Sequence, residues 1–480
     1  MSHLQSKNSV GAMELNRRRW LQWGGTAVAS ALGVGSLSAL RQGRAQAVSG
    51  YKALVCVFLY GGNDGMNMVV PNDLTRHQQY AAVRGPLALP RSSLVGLGST
   101  GYGLHPSMSA LAPVWASGGL APVFNLGPLV GPLSKVQFLA AAPQALPESL
   151  FSHSDQQIQW EASSPFSISR TGWGGRAAST MAMSNPVISV GGNGHFGLSE
   201  MEAPLVVPGP GSGFGLEGLD DLSWAPVAAR KAALDALYRQ DFSNLTRDAF
   251  ATSMTDAVQV GQRLGGLVAA MPADVSAALR TAFLPITNAE GRITTDFGRQ
   301  LFQVAKLIEG RGTVQGAQQI FFAQMGGFDT HSTQISTSSL AGDHARLMQV
   351  LADGMACFYN AMTAIGMGDS VTLFTQSEFG RTFAPNSSSG TDHAWGNHQL
   401  VMGGAVNGGA TYGDYPELVL GGSSDMGVEE WERQGCWIPR LGVDQYAATL
   451  LRWLGSSEAQ LDTILPNLAN FGSARNIGFL

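Results

Sequence analysis

Apolar residues along this chain follow two rhythms. The unbroken run Leu54-Val55-Cys56-Val57-Phe58-Leu59-Tyr60 stops abruptly at Gly61-Gly62-Asn63-Asp64-Gly65. A run without polar alternation predicts a strand covered on both faces. Shorter runs at 121–125, 186–190, 317–323, 371–375 and 399–402 read the same way, and three of them run into Gly326-Gly327, Gln376-Ser377-Glu378 or Gly403-Gly404. Between them, apolar residues recur every three or four positions over 225–267, 294–309, 344–365 and 444–454, which predicts amphipathic helices. Strand and helix in alternation predict an α/β fold with a doubly wound, mostly parallel central sheet. The stretch 205–310 is mostly helical in pattern and opens with Pro208-Gly209-Pro210-Gly211-Ser212-Gly213, so it is expected to be an inserted helical or cap region. No fixed-period repeat is visible.

The amino-terminal 47 residues have a different character. Asn16-Arg17-Arg18-Arg19-Trp20-Leu21 precedes an uncharged run rich in Gly, Ala and Ser at 24–40, and Ala45-Gln46-Ala47 supplies a small-x-small cleavage pattern. This order reads as a twin-arginine signal peptide over 1–47, so the chain is expected to be periplasmic or secreted, with the export machinery as a partner. Residues 48–480 are then expected to form a single α/β domain without a stable membrane span, since no later run approaches the length a span needs. The net charge of −5 and the lack of a Lys/Arg cluster exclude a nucleic-acid surface. Only 13% of residues are charged and 61 are Gly, which with 44% apolar content indicates many tight loops over an ordinary core. Cys56, Cys357 and Cys436 contain no Cys-x-x-Cys pair.

Candidate chemistry gathers at the ends of the predicted strands, where open parallel sheets bind ligands. Asp64 sits in the glycine-rich turn after the first strand. Gly327-Phe328-Asp329-Thr330-His331 follows another, Ser377-Glu378-Phe379-Gly380-Arg381-Thr382 a third, and Thr391-Asp392-His393 with His398 precedes a fourth. Carboxylates and imidazoles in this density are the donors a divalent cation takes in a hydrolase. The competing reading makes each a turn cap or hydrogen-bonding group. Ser152 stands before the predicted helix that begins near His153, as an N-cap or as a hydroxyl nucleophile favoured by the helix dipole. His105 is expected either to support the same pocket or to be a buried structural histidine. The match Gly192-Asn193-Gly194-His195-Phe196-Gly197 to a dinucleotide fingerprint is rejected, because Pro204 arrives where a helix should continue.

These segments, in this order, resemble the exported bacterial family known as domain of unknown function 1501. That family in turn is similar to the alkaline phosphatase and sulfatase superfamily. The resemblance implies a central sheet with metal sites at its strand ends and a nucleophile at a helix N-terminus. Carried over residue by residue, it implies metal ligands among Asp64, Asp329, His331, Glu378, Asp392, His393 and His398, with Ser152 as nucleophile. His153 would be a proton shuttle, and Arg381 would steady a charged oxygen. Two placements of the second metal carboxylate compete: Glu378 at a strand end, with His393 or His398 as the final ligand, or Asp392-His393 displaced downstream with its loop. The implied cofactor is a divalent ion, zinc first and manganese or calcium next. The implied function is hydrolysis of phosphate or sulfate esters, with a small-molecule or polymer ester as partner. The alternative is a non-catalytic secreted binding or surface-assembly protein on the same fold.

Overall fold

A computed structural model describes residues 50–219, 222–240, 244–427 and 434–480. The expected export segment, 1–47, lies outside them. Eight strands form one sheet: β1 (Lys52–Leu59), β2 (Leu120–Gly127), β3 (Ile188–Ser189), β4 (Leu205–Val206), β5 (Gln318–Met325), β6 (Val371–Gln376), β7 (Asn397–Met402) and β8 (Leu441–Gly442). Their spatial order is β8-β2-β7-β6-β1-β5-β3-β4. All neighbours pair in parallel except at β7, which is antiparallel to both β2 and β6. The sheet is therefore mostly parallel, as the apolar runs predict, with one reversed strand that a run of Gln399-Leu400-Val401-Met402 could not reveal. The predicted strand at 186–190 is reduced to two paired residues.

The longer helices are α1 (Leu74–Arg84), α2 (His153–Ala162), α3 (Trp173–Thr180), α4 (Ala225–Tyr238), α5 (Leu245–Ala269), α6 (Ala277–Phe283), α7 (Asp296–Glu309), α8 (Asp343–Ala364), α9 (Val443–Leu454) and α10 (Glu458–Ile464). Strand β1 shows why both faces had to be apolar. Ala53, Val55, Val57 and Leu59 join the core under α6, α7 and α8, while Leu54, Cys56 and Phe58 join the core under α3, α9 and α10. Truncating a buried ring such as Phe58 to Ala would cost about 3–5 kcal/mol.

Within the stretch 205–310, β4 extends the main sheet beside β3, and α7 lies in the core with ten buried residues. Between them, α4 is largely exposed, burying Val227 alone, and packs against α5. The Gly192–Gly197 match opens no helix: only a short turn at His195–Gly197 follows it. Among the described residues, no helix is long and apolar enough to cross a membrane.

Candidate metal centre

Strands β1, β5 and β6 end level with one another, because Leu59 pairs with Met325 and Phe58 with Gln376. The turns that follow them therefore open on one edge of the sheet. Since β7 runs the other way, the segment entering it arrives at that same edge. The reversed strand thus brings Asp392 and His393 to Asp329, although they precede β7 in the chain and Asp329 follows β5. His398, already inside β7, is carried below the edge into the sheet.

Close backbone approach fixes the turns. Gly61 has φ +116°, and a Cβ there would overlap the Asp329 amide nitrogen and lie 2.7 Å from the Phe328 carbonyl carbon. The buried Arg381 guanidinium binds these turns together. It donates to the carbonyls of Gly62 (2.7 Å), Thr391 (3.0 Å), Phe328 (3.1 Å) and Gly61, and to Asp329 Oδ1 (2.7 Å). An antiparallel bridge at Arg381 and His393, in which Thr382 N donates to the Asp392 carbonyl (3.0 Å) and Ala394 N to the Gly380 carbonyl (2.9 Å), holds the last segment in place.

Three imidazoles face the Asp329 carboxylate. His153 Nε2 lies 3.5 Å from Oδ2, while His331 Nε2 and His393 Nε2 lie 3.1 and 3.3 Å from Oδ1. The two latter Nε2 atoms are 2.8 Å apart. His153, Asp329 and His393 each offer a ligand atom within 4.8 Å of the others. The far side of each ring decides what the near side presents. His153 Nδ1 meets Glu378 Oε1 at 2.9 Å, His331 Nδ1 meets Asp392 Oδ1 at 2.8 Å, and His393 Nδ1 meets the Phe151 carbonyl at 2.8 Å. All three partners only accept, so each neutral ring donates from Nδ1 and turns a lone pair on Nε2 toward Asp329. Lone pairs crowded on a carboxylate need a cation among them, either protons or a metal ion. His153 Nε2 is buried without a hydrogen-bond partner.

The donors of His153, Asp329 and His393 are spaced so that they could hold a divalent ion. Metal–ligand bonds of about 2.0–2.1 Å set ligand–ligand edges of roughly 3.3–3.4 Å, and three observed separations run from 3.1 to 3.5 Å. The His331–His393 pair, at 2.8 Å, is shorter than such an edge and would have to open for both to bind. Imidazole held from behind by a carboxylate or carbonyl is the usual support of such a ligand.

The electrostatics follow this arrangement. The hydrogen bond to Glu378 holds His153 above the ordinary imidazole value, whereas burial, together with Arg381 and the neighbouring rings, pushes His393 below it. Burial works to raise Asp329, but Arg381 outweighs it and the carboxyl lies below its usual range. Asp392 is lowered too, with Asn386, Gln434 and His331 overcoming burial.

Other expected site residues lie elsewhere. Asp64 is fully buried, paired with Arg84 and bonded by Gln334 Nε2 at 2.5 Å, apart from the three rings. Glu378 stands behind His153 and also accepts from Gly61 N (2.8 Å) and Gln157 Nε2 (3.0 Å). Asp392 stands behind His331 and accepts from Gln434 Nε2 at 2.8 Å. The two competing placements are thus both occupied, each by a carboxylate that orients a histidine. His398 packs on Phe124, Tyr415 and Trp437 and accepts from Asn125 N at 3.1 Å. His105 is buried against His344, beside the Asp64 network. Ser152 caps α2 and donates to Asp155 Oδ2 at 2.5 Å. Arg381 has its donors turned to main-chain carbonyls and Asp329, which makes it a brace of the turns.

The sequence reading missed the tight grouping of His153 with Asp329 and His393. The cue was its position as the first helical residue after Ser152. The Phe151 carbonyl left no cue, because its role depends on a left-handed backbone (φ 73°) that only the fold shows.

Among solved structures, this chain is similar to Ps i-CgsB crystallised with k-i-k-neocarrahexaose, at 10% identity and TM-score 0.33, covering 88% of this chain and 77% of that one. It is similar to Ps i-CgsB without that ligand, at 9% identity and TM-score 0.34 with the same coverage. It is also similar to the phosphonate monoester hydrolase SpPMH from Silicibacter pomeroyi, at 9% identity and TM-score 0.28, covering 85% and 74%. No curated protein sequence matches. Residues 51–424 match the family described as protein of unknown function (DUF1501), and the chain belongs to that family.

Proposed function

We propose that this protein is an exported, metal-dependent hydrolase of phosphate or sulfate esters. The observation that carries the reading is the convergence of three imidazole Nε2 atoms on the Asp329 carboxylate. His153, Asp329, His331 and His393 would hold the ion, and the imidazole-rich donor set favours zinc over calcium or manganese. A divalent ion there supplies Lewis acidity toward the ester and lowers the pKa of a nearby hydroxyl or water. Glu378, Asp392 and the Phe151 carbonyl hold the ring tautomers.

Ser152 is the nucleophile of this reading. Its Oγ bonds to phosphorus or sulfur, its proton passes to Asp155 Oδ2, and the ester oxygen leaves with its bonding pair. The amino end of α2 favours the charge that develops. Water then cleaves the serine ester and restores the hydroxyl. With His153 Nε2 aimed at Asp329, its role moves from proton shuttle to ligand. The second reading, a secreted binding or assembly protein, is favoured by one observation: Arg84 already neutralises Asp64, where the superfamily resemblance expects a metal carboxylate.

Elemental analysis of the purified protein tests the centre. Stoichiometric metal, lost in Asp329→Ala/His393→Ala, supports it, whereas metal-free protein of full thermal stability sinks it. Ser152→Ala is expected to abolish ester turnover with metal content unchanged; surviving turnover would assign the attack to water. Export is tested by fractionation after Arg17→Lys/Arg18→Lys, which is expected to retain the precursor in the cytoplasm.

A further inference from the structure

We propose that Gln334 is a positioning residue of this centre, oriented by Asp64 and holding together the two turns that carry Asp329, His331 and His393. The proposal rests on the metal-centre reading above. Gln334 is 1% exposed, and its amide has a carboxylate on one side and hydroxyls on the other. Nε2 donates to Asp64 Oδ2 at 2.5 Å, while Oε1 accepts from Thr391 Oγ1 at 2.7 Å and from Thr330 Oγ1 at 3.3 Å. Thr330 lies between Asp329 and His331, and Thr391 directly precedes Asp392 and His393. One amide oxygen thus takes a hydrogen bond from each ligand-bearing turn.

Asp64 decides which way that amide faces. Its carboxylate, kept charged by Arg84, only accepts, so Nε2 must turn toward it and Oε1 toward the threonines. The backbone of Gln334 is fixed from elsewhere. His344 N donates to its carbonyl at 3.3 Å and Asp343 N to the Thr333 carbonyl at 3.1 Å, both from the start of α8. The two turns meet at Thr391 N, which donates to the Thr330 carbonyl at 3.2 Å. Arg84 reaches the adjoining segment through the Thr382 and Phe383 carbonyls, at 2.9 and 3.2 Å. Asp64, Thr330, Gln334 and Thr391 are all buried, where a polar group that loses its partner is costly. The turns therefore keep their spacing by staying on Gln334. Asp64 acts on the ion at one remove, through this amide, and needs no contact with it.

The test compares the full-length wild type with Gln334→Leu, which removes both ends of the amide. Zn2+ affinity, read by competition with a chromophoric chelator, is expected to weaken by about tenfold or more, the range for groups that orient ligands. The visible spectrum of the Co2+-loaded protein should change with it. Gln303, buried on α7, donates to the Val268 carbonyl and serves as the control: Gln303→Leu should lower Tm and leave Zn2+ affinity within about threefold. Gln334→Glu sets two carboxylates face to face and should weaken the ion as well. Adding Asp64→Asn returns the charge count and the hydrogen-bond pattern, and is expected to restore affinity to within about threefold of wild type. A second readout needs no metal. In EDTA-stripped protein, amide hydrogen exchange over 328–334 and 390–396 should quicken by about tenfold or more in Gln334→Leu, while 443–454 stays unchanged. Thr391→Val, which deletes one hydroxyl, serves for both readouts should Gln334→Leu not fold. Zn2+ affinity of the variant within about threefold of wild type, no rescue by Asp64→Asn, or unchanged exchange in those two segments overturns the proposal. Wild type that binds no metal overturns the metal-centre reading instead, and the exchange rates then still decide the role of Gln334.

Discussion

Replacing Glu378 by Gln isolates the support behind one ligand without touching the ligand. Glu378 is fully buried, and its Oε1 accepts from Gly61 N, His153 Nδ1 and Gln157 Nε2 at 2.8, 2.9 and 3.0 Å. A glutamine has two ways to sit there. With its oxygen inward, the three donors meet a neutral acceptor, and charge-assisted bonds become ordinary ones of about half the strength. With its amide nitrogen inward, His153 must accept at Nδ1, so its proton moves to Nε2 and the lone pair facing Asp329 is lost. Changes of this kind weaken metal binding by about 10–100-fold, which is about 1.4–2.8 kcal/mol. Competition against a chromophoric chelator reads that loss directly. Glu161→Gln is the control: its carboxylate, likewise buried and on the helix that carries His153, holds Tyr60 Oη and Phe196 N at 2.6 Å and touches no ligand. It is expected to lower Tm and leave metal affinity within threefold. If Glu378→Gln also leaves metal affinity within threefold of wild type, the oriented-tautomer account of this centre is wrong.

Gly61→Ala adds a Cβ against the Phe328–Asp329 backbone at a left-handed φ, so it should destabilise by at least about 2 kcal/mol in urea unfolding; a loss under 0.5 kcal/mol would contradict the packing. Arg84→Met leaves the buried Asp64 without its partner and should cost about 3–5 kcal/mol, part of it regained in Asp64→Asn/Arg84→Met; an Arg84→Met cost below 1 kcal/mol refutes this. Arg84, with His344 and Gln334, outweighs burial to hold Asp64 below its usual range, so that contribution stands above about pH 4 and disappears as pH falls through the lowered value. Burial pushes His105, His344 and His398 down to about 3, 4 and 3. Their unfolded value is near 6.5, so the unfolded chain binds more protons at lower pH and stability falls from about pH 6.5 downward. Calorimetry from pH 7 to 4 should show that decline, and His398→Phe should shallow its slope by about one proton; an unchanged slope in the variant would count against it.

Much of the sheet was legible because strands buried on both faces have a signature that survives without neighbours: β1, β5 and β6 lie where the apolar runs fall. The direction of β7 was not legible, since periodicity carries no sense of up or down. That one reversal separates His393, at the edge, from His398, inside the sheet, five residues later. The site was legible as a set of turns, less so as a set of roles. Asp329, His331 and His393 stood out as a carboxylate and imidazoles at strand ends. Whether Glu378 and Asp392 point at the centre or at the back of a ring depends on a few ångströms of side-chain reach, which spacing does not encode. Asp64 had the right position but acquired Arg84, a partner at the end of a helix with no motif.

His153, Asp329, His331 and His393 come from three turns distant in sequence, and they meet only once β1, β5, β6 and the reversed β7 have closed into one sheet. The centre's donors thus form no local loop on which an ion could nucleate structure in a newly made chain. If the centre takes an ion, its occupancy is decided after the sheet closes, by the ion pool of whichever compartment hosts that event. If the chain crosses the membrane already closed, its cargo is chosen by cytoplasmic metal supply, whatever the abundance of ions outside.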